Sequence, residues 1–439
     1  MHLSPMQFVP NMAQAGTNRT TQSSIYRLDN PAVLDLQATE TAAATSEHSA
    51  WRYLASILEH ASKRHCQQFS MESDACLWRL RYRRVGGYDE HLIEVPSLLM
   101  RAIDALQIKL WDEEYHLKTH RSTRFIWRNH FVDLVVTLNV LRTINGDALH
   151  FDLEHRRPIP LRIDELGLIP AQLLELRLRL DEQHGMIMLT SPTPMMLNDM
   201  LLAINQELIS PDRKLLSIHD RHRYSMPRTM QIDLPTINDM ARNSTWQHAL
   251  DTHYDTLMIR AVVPSQFQQQ IANQCDQGAL AVQALQINCA SDFISLLNAS
   301  TTRQAPLHHC TTSIVSHYPI RSICPHCSEQ VTLNEEELNW LEQLRTPVTE
   351  NVVGWLADGN REQFRTARGC EACSDTGEGA PLAVFDMVHR DESSYLFPNA
   401  GSVTSIDDTQ INYLQRLLMS LAKNGRITLN EVIRVLSTS

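Results

Sequence analysis

The sequence predicts an α/β protein made of two successive blocks, the second of which carries a mostly parallel sheet. In the second block, short apolar runs typical of buried strands alternate with patterns of helical spacing, and this alternation favours a parallel sheet covered by helices. Pro158-Ile159-Pro160 marks the boundary between the blocks. A length of 439 residues, of which 43% are hydrophobic, is enough for two or three domains with full cores.

The first block follows a long polar tail. Residues 1–48 are rich in Gln, Thr, Ser, Ala and Asn without a sustained period, so we expect a disordered tail. An α/β domain over 49–157 follows. Its expected elements are a helix over 51–64, an alternating strand over 77–85 that ends at Gly86-Gly87, a helix over 96–110, and strands over 124–142 and 147–153.

The second block, 158–439, is expected to open with one helix over 163–180, whose leucines share a face. Its further expected elements are strands over 186–189, 214–218, 256–262 and 280–287, a helix over 195–208, and C-terminal helices within 408–439. Thr428 and Glu431 have the spacing of a capping box, in which each side chain bonds to the other residue's backbone N–H. This spacing predicts the start of the last helix.

Composition restricts the class of protein. The formal net charge is −11, whereas a nucleic-acid-binding surface needs clustered Lys and Arg, so we expect no specific nucleic-acid partner. No apolar run approaches the ~18–20 residues that span a bilayer, and residues 1–50 contain no apolar signal core. We therefore expect a cytoplasmic protein.

Four of the nine cysteines form two Cys-x-x-Cys pairs, Cys324/Cys327 and Cys370/Cys373, within a segment over 320–378. Two such pairs present four thiolates, which is the ligand set of a closed, tetrahedral Zn²⁺ site with no open position for catalysis. We therefore predict structural zinc. A redox Cys-x-x-Cys is the alternative, and His326 or the cluster His308-His309-Cys310 could offer other ligands, although ordinary surface residues suit these better.

Further segments of the second block have a recognisable order, and the two halves of the cysteine segment are the most specific of them. The segments are Ile163–Leu168, Gly185–Thr193, Leu216–Asp220, Asp255–Ile259, Ile320–Cys327, Gly369–Gly379, Val384–Val388 and Asn424–Val435. Together with the strand Leu77–Gly87, they resemble the secretion ATPase family of type II secretion and type IV pilus assembly (GspE-, PilB- and HofB-like proteins) over roughly residues 50–439.

The resemblance implies a PAS-like α/β domain over 49–157, followed by a RecA-like, P-loop-type domain over 158–439. It further implies a hexameric ring at the cytoplasmic face of the inner membrane. In the family, such a ring drives pilin polymerisation through an inner-membrane platform protein. The partners implied for this chain are active motor ATPase subunits, that platform protein, or both.

The same alignment indicates that the phosphate-binding loop is degenerate. Such a loop needs glycines that let backbone N–H groups reach the phosphates, a lysine for the β/γ-phosphates and a Ser or Thr hydroxyl for Mg²⁺. Here Leu197 aligns with the lysine and Asn198 with the hydroxyl. The aligned loop comprises Ser191, Pro192, Thr193, Pro194, Met195, Met196, Leu197 and Asn198. Between Leu168 and Val353 the only glycines are Gly185 and Gly278, so no shift of register restores the loop.

Three further family positions have also changed. His219 replaces the first carboxylate of the acidic box, Ala261 the Walker B glutamate and Gln286 the family's histidine. Since each such group typically stabilises the transition state by a few kcal/mol, their joint loss should remove most of the catalysis. We therefore hypothesise a pseudo-ATPase that binds neither ATP nor Mg²⁺ and acts as a regulatory or structural partner of a motor.

Several alternatives remain open from the residues. The chain could be an active motor with an unorthodox nucleotide site that uses Asp220 or Asp255, or a zinc-stabilised binding module. Met195, Met196 and Leu197 also suit the buried face of a helix. His219 and His222 could bind a metal, although a polar loop is the preferred interpretation. The arginines of the first block suit an exposed strand face or a contact between protomers; they are Arg79, Arg81, Arg83 and Arg84.

Overall fold

A computed structural model describes most of both blocks. The described residues are 32–35, 46–94, 120–155, 162–288, 310–331, 364–389 and 408–438, apart from short gaps within these ranges, together with Phe293 and a few positions between 101 and 107. Of the expected helix over 96–110, Ile103 and Leu106 are described, and both are helical and buried. His308 and His309 lie outside the described residues, as does most of the expected tail.

Besides the helical residues near 101–107, the first block contains the following described elements. They are β1 (Ala32–Asp35), α1 (Ser46–Lys63), β2 (Gln68–Asp74), β3 (Leu77–Arg84), β4 (Gly87–Glu94), β5 (His120–Arg128), β6 (Asp133–Thr143) and β7 (Gly146–His155). The predicted strand over 77–85 is confirmed. The predicted strand over 124–142 is in fact the end of β5 and most of β6, two strands paired antiparallel.

These strands form a single sheet in the order β1-β5-β6-β7-β2-β3-β4. Every neighbouring pair is antiparallel except β1 and β5, which are parallel. One sheet face packs against α1, through Leu54 and Leu58, around the stacked rings of Phe69 and Phe151. The alternation that predicted a half-exposed strand at 77–85 therefore places one side chain in two in this core.

The second block contains the following described elements. They are α2 (Pro170–Asp181), β8 (Gly185–Thr190), α3 (Pro194–Leu208), β9 (Leu215–His219), β10 (Thr229–Asp233), α4 (Asp239–Leu250), β11 (Thr256–Arg260), α5 (Ser265–Asp276), β12 (Leu280–Leu285), β13 (Thr311–Ile320), β14 (Ser328–Gln330), β15 (Arg365–Ala367), β16 (Leu382–His389), α6 (Asp408–Lys423) and α7 (Leu429–Thr438).

The predicted parallel sheet is confirmed, with the order β10-β9-β11-β12-β8-β13-β16. Its strands pair in parallel up to β13, and β16 adds an antiparallel edge. Helices cover both faces: α3 contributes Leu197 and Leu201 to one core, while α4 and α5 contribute Trp246 and Phe267 to the other. Burial on both faces explains why Met186–Leu189 of β8 is a continuous apolar run rather than an alternating one.

The expected single helix over 163–180 is wrong. Residues Ile163–Leu166 form one 3₁₀ turn that ends at Gly167, whose φ of 99° is a left-handed conformation that favours glycine. The α-helix begins only at Pro170, because proline fixes a helical φ and needs no hydrogen-bond acceptor in the first turn. The spacing of the leucines predicted the helix but not this break.

The two C-terminal helices pack against the cysteine segment around Phe364, Leu418 and Val432. The predicted capping box is half formed, since the Thr428 hydroxyl accepts the Glu431 N–H at 3.1 Å. The Glu431 carboxylate instead bonds to Arg321, with a backbone N–H at 2.8 Å and the side-chain Nε at 2.6 Å, and to Arg434 Nη2 at 2.6 Å. Among the described helices, none is long and apolar enough to cross a bilayer.

The Glu431→Gln variant should lose about 2 kcal/mol of unfolding free energy. Glu431 is 1% exposed and neutralises two arginines, so the uncharged amide leaves them under-compensated; their own partial exposure limits the cost. Denaturant unfolding measures the loss. As a control, Glu182→Gln removes a surface partner of Arg179 and should cost under about 0.5 kcal/mol. Equal losses in the two variants would refute a special role for Glu431.

Candidate functional site

The carboxyl ends of β8, β9, β11 and β12 meet at one edge of the second sheet, where open α/β sheets bind their ligands. The loop after β8 is short, because α3 begins at Pro194. The Ser191 hydroxyl within this loop lies 2.9 Å from His317 Nδ1 and accepts the Thr193 N–H at 3.0 Å. Pro192 and Pro194 have no N–H. The loop therefore offers few backbone N–H donors to an anion, because the two prolines have none and the Thr193 N–H already donates to the Ser191 hydroxyl.

The side chains that follow this loop point into the protein. Leu197 is fully buried in the core beneath α3, and Asn198 is also buried. The Asp199 carboxylate accepts the hydroxyl of the buried Tyr224 at 3.0 Å. The alternative that this stretch is the buried face of a helix holds for Met196 and Leu197, whereas Met195 is half-buried. The side chain of Leu197 therefore belongs to the core and does not reach the cleft beside the loop.

A cleft of about 560 Å³ lies between this loop and the first block. Its loop side is lined mainly by proline and methionine, including Pro192 and Met195, and Arg83 lies on the opposite side. Gln67 Nε2 donates to Thr193 Oγ1 at 3.4 Å across the cleft. Gln286 Nε2 donates to the Pro192 carbonyl, also at 3.4 Å. The predicted site residues Gln286 and Pro192 are therefore brought together, but the cleft lined by them is largely apolar.

At the end of β11, Ala261 is buried and presents only a methyl group. Its carbonyl accepts the Gln283 side-chain amide at 3.2 Å. Asp220, which follows β9, forms an ion pair with Arg242. Asp255 bonds through Oδ2 to the Lys214 N–H at 2.7 Å, at the opposite end of the strands. The Asp255 carboxylate thus holds the backbone before β9 in place, far from the carboxyl ends of the strands.

The interpretation of His219 and His222 as a polar loop holds for His222, which lies between β9 and β10, and is wrong for His219. His219 is the last residue of β9 and is 2% exposed, and its ring stacks on that of His222 with centroids 3.9 Å apart. His222 Nδ1 lies 2.5 Å from Asp233 Oδ1, and its Nε2 lies 3.0 Å from Ser217 Oγ. Because the fully buried Ser217 lies inside the sheet, this Ser-His-Asp chain orders the loop rather than attacking a substrate.

Both histidines are neutral in the folded protein at pH 7. Burial, together with the nearby His222 and Arg260, lowers the pKa of His219 well below its usual 6.5. Burial also lowers the pKa of His222, against the opposing effect of Asp233. Unfolding exposes both rings to water, where they take up protons near pH 6.5.

The free energy of unfolding should therefore keep the full contribution of the two neutral histidines above about pH 6.5 and fall as the pH drops below it. The reason is that only the unfolded chain binds these protons readily. The His219→Phe variant should flatten this decline by about one proton, or ~1.4 kcal/mol per pH unit. Denaturant unfolding between pH 7.5 and 5 measures the slope. His253→Gln, at a side chain that is 87% exposed, is the control for replacing a histidine outside the core. Parallel slopes for His219→Phe and the parent would contradict the assignment.

The four predicted cysteine ligands lie together. Their sulfurs are all within 4.8 Å of one another, with Cys324 and Cys370 4.0 Å apart and Cys327 and Cys373 3.9 Å apart. Four thiolates at ~2.3 Å from a tetrahedral Zn²⁺ would be about 3.8 Å apart, so the donor set and its spacing fit this ion. The described residues hold no other cluster of this kind.

Local backbone geometry favours thiolates at this cysteine centre. Burial would raise the pKa of Cys373, but hydrogen bonds from the N–H groups of Cys370 and Gly377, both at 3.2 Å, lower it to about 6. Burial and the neighbouring thiols raise the pKa of Cys327 to about 12, so metal binding has to displace its proton. Gly369, with φ 97°, is required because a Cβ there would lie 2.5 Å from the Asp375 carbonyl oxygen.

Of the alternative ligands, the two that the structure describes, His326 and Cys310, do not join this centre. His326 is exposed, and Cys310 is buried in the core beneath α4 and α5. Sequence reasoning missed Asp233 and Ser217 as partners of His222, and His317 as the partner of Ser191. Asp233 ends β10, a short strand that was not predicted; the polar alternation of Thr229–Asp233 was the available signal.

Comparison with known proteins places the chain in a family. The family model described as type II/IV secretion system protein matches residues 43–434. The chain is 22% identical over 388 residues to the type II secretion system protein E of Klebsiella pneumoniae, covering 88% of this chain and 75% of that protein. It is 22% identical over 316 residues to the type IV pilus assembly ATPase PilB of Thermus thermophilus, covering 71% of this chain but only 34% of that protein.

Solved structures support the fold of the chain. The ATPase DotB of Yersinia pseudotuberculosis aligns with a TM-score of 0.53 at 11% identity, covering 90% of this chain and 95% of DotB. DotB of Legionella pneumophila aligns with a TM-score of 0.51 at 12% identity, covering 89% of this chain and 96% of DotB. The predicted RecA-like fold of the second block is therefore supported.

Proposed function

This chain belongs to the type II/IV secretion system protein family, and we propose that it is a member that keeps the fold of a motor ATPase without hydrolysing ATP. It acts as a regulatory or structural partner of a pilus assembly or secretion machine. The observation that carries this proposal is the fully buried Leu197 at the position of the phosphate-binding lysine. A lysine there in an active enzyme reaches the β/γ-phosphates, whereas a leucine packed beneath α3 reaches none.

The rest of the sheet edge supports the proposal. A Mg²⁺–nucleotide site needs backbone N–H donors, a hydroxyl and a carboxylate near the metal. Here Pro192 and Pro194 remove donors, Asn198 replaces the hydroxyl, and the buried Ala261 replaces the carboxylate. Without these groups, neither the charge of the triphosphate nor that of the transition state is neutralised.

The cysteine centre has a structural role in this proposal. A Zn²⁺ ion held by Cys324, Cys327, Cys370 and Cys373 would be four-coordinate and closed, so it would supply no chemistry beyond cross-linking two distant segments. The Cys324 N–H donates to the Gly377 carbonyl at 2.8 Å, and the Ile323 N–H donates to the Arg426 carbonyl at 2.9 Å. The centre thereby holds in place the cysteine segment, against which the C-terminal helices pack.

The partners that we propose are active motor ATPase subunits or the inner-membrane platform protein of such a machine, met at the cytoplasmic face of the membrane. A chain of this shape could enter a hexameric ring of the family as an inert subunit. Relatives named for secretion and pilus assembly support this setting. Co-purification with a tagged copy from the native cell, followed by identification of the partners, tests it.

Nucleotide binding by the purified full chain is the direct test of the missing activity. We expect no saturable binding of a fluorescent ATP analogue with Mg²⁺ at micromolar concentrations, and no phosphate release above buffer. An active ATPase of the family, assayed in parallel, controls for the conditions. Micromolar affinity with turnover that is abolished by Asp220→Asn would instead establish an active motor with an unorthodox site.

A further inference from the structure

Three charged or basic side chains lie next to one another at the carboxyl ends of adjacent strands. Asp233 of β10 is in register with His219 of β9, and His219 is in register with Arg260 of β11. Residues in register share a sheet face, and this face is the one covered by α3. The row therefore lies at the edge where the loop after β8 also emerges.

His219 is the least satisfied polar group of this row. It is nine-tenths buried or more, and within the described part of the chain neither of its ring nitrogens has a hydrogen-bond partner. Leaving a buried polar group unpaired is costly, so native structures seldom keep one without a partner from solvent or a ligand. Its stacking on His222, which Asp233 and Ser217 hold in place, fixes the ring where it is.

Arg260 supplies a permanent positive charge beside this ring. Its side chain is only partly exposed, and its buried Nε also has no partner among the described residues. Burial lowers the pKa of Arg260, which means that the guanidinium is held in a poorly solvated place. An anion that accepts hydrogen bonds from Arg260 and His219 would give both side chains the hydrogen-bond partner that they lack.

The nearby acids each have a partner of their own. Asp220, whose N–H donates to the Arg260 carbonyl at 3.3 Å, forms an ion pair with Arg242 and also attracts the Arg260 guanidinium. Asp233 accepts both the backbone N–H and the ring Nδ1 of the neutral His222. The small Ala261 follows Arg260 and adds no carboxylate that would repel an anion. Arg260 and the unpaired ring of His219 are therefore the groups of this edge that are left to bind an anion.

We propose that Arg260 and His219 form a binding site for a small, metal-free oxyanion of the phosphate class. The anion enters from the exposed edge of the sheet beside Val262, accepts hydrogen bonds from the guanidinium and donates to or accepts from the neutral imidazole according to its own protonation. The site takes a phosphate group without Mg²⁺, and it does not depend on whether the chain hydrolyses ATP.

Titration calorimetry with inorganic phosphate on the purified full chain tests this site. The ionic strength is held constant with chloride and no divalent cation is present. We expect saturable binding that weakens by at least about tenfold in Arg260→Gln and in His219→Phe, since each change removes one partner of the anion. Arg213→Gln, which removes a charge near the opposite end of β9, is the matched control and should bind phosphate like the parent.

Circular dichroism of each variant distinguishes lost binding from lost folding, and His219→Gln, which keeps a hydrogen-bonding side chain, should retain part of the affinity. Absence of phosphate binding by the parent chain, or equal binding in all variants, would overturn the site. A parallel titration with Mg²⁺-ATP separates the two proposals: its tight binding and hydrolysis would refute the pseudo-ATPase, whereas the phosphate result alone decides on Arg260 and His219.

Discussion

The Cys370→Ser variant is expected to lose the Zn²⁺ that we propose for the cysteine centre, and with it on the order of 5 kcal/mol of stability. The physical reason is that a structural metal contributes its binding free energy to folding, and a three-thiolate site retains little of it. The affected region reaches beyond the centre, because Phe364 from the same segment packs in the core of the C-terminal helices. Metal content by mass spectrometry and denaturant unfolding measure the two effects.

Cys66 provides a matched control for this substitution. It is a buried thiol of the first block, packed in the core beneath α1, and it is not one of the four clustered cysteines. The Cys66→Ser variant should keep its full zinc content and lose no more than about 2 kcal/mol, the cost of placing a hydroxyl in an apolar site. A parent chain purified without zinc, or equal losses in both variants, would argue against a metal at Cys324, Cys327, Cys370 and Cys373.

Restoring the lysine of the family by Leu197→Lys is expected to destabilise the chain by at least about 3 kcal/mol without creating ATPase activity. Leu197 is fully buried, and a buried ammonium group loses its hydration without gaining a partner, which lowers its pKa by several units. Denaturant unfolding and phosphate release are the measurements. In an active enzyme of the family, a lysine at this position strengthens nucleotide binding. In this chain we expect the lysine to lower the free energy of unfolding and to bring no nucleotide binding, and this difference distinguishes the two kinds of protein.

The control for this substitution is Leu197→Met, which keeps the volume and apolar character of the side chain and should cost less than about 1.5 kcal/mol. A Leu197→Lys chain that is as stable as Leu197→Met would mean that the side chain can leave the core for the cleft. If that chain also bound ATP, the loop after β8 would have kept the shape of a phosphate site, and the pseudo-ATPase proposal would fall.

Much of the second block could be predicted from local patterns. The apolar run Met186–Leu189 predicted β8, because a strand buried on both faces has no polar positions. The spacing of the two cysteine pairs predicted a cluster that the structure brings within metal-binding distance. The apolar run and each single Cys-x-x-Cys pair lie within a few residues, where the pattern and its physical cause coincide. The prediction of a single helix over 163–180 was wrong because it relied on the spacing of the leucines alone. Gly167 and Pro170 interrupt the helix through the backbone, without changing that spacing.

The sequence by itself determined which chemical groups this chain lacks: no rearrangement of the backbone supplies a lysine at Leu197, a carboxylate at Ala261 or glycines in the loop after β8. Only the tertiary structure decided which distant groups meet, as Ser217 with His222 and Asp233, Ser191 with His317, and His219 with Arg260. The physical reason is that absence is a property of composition, whereas hydrogen bonds across strands depend on register and burial, which packing of the whole domain sets.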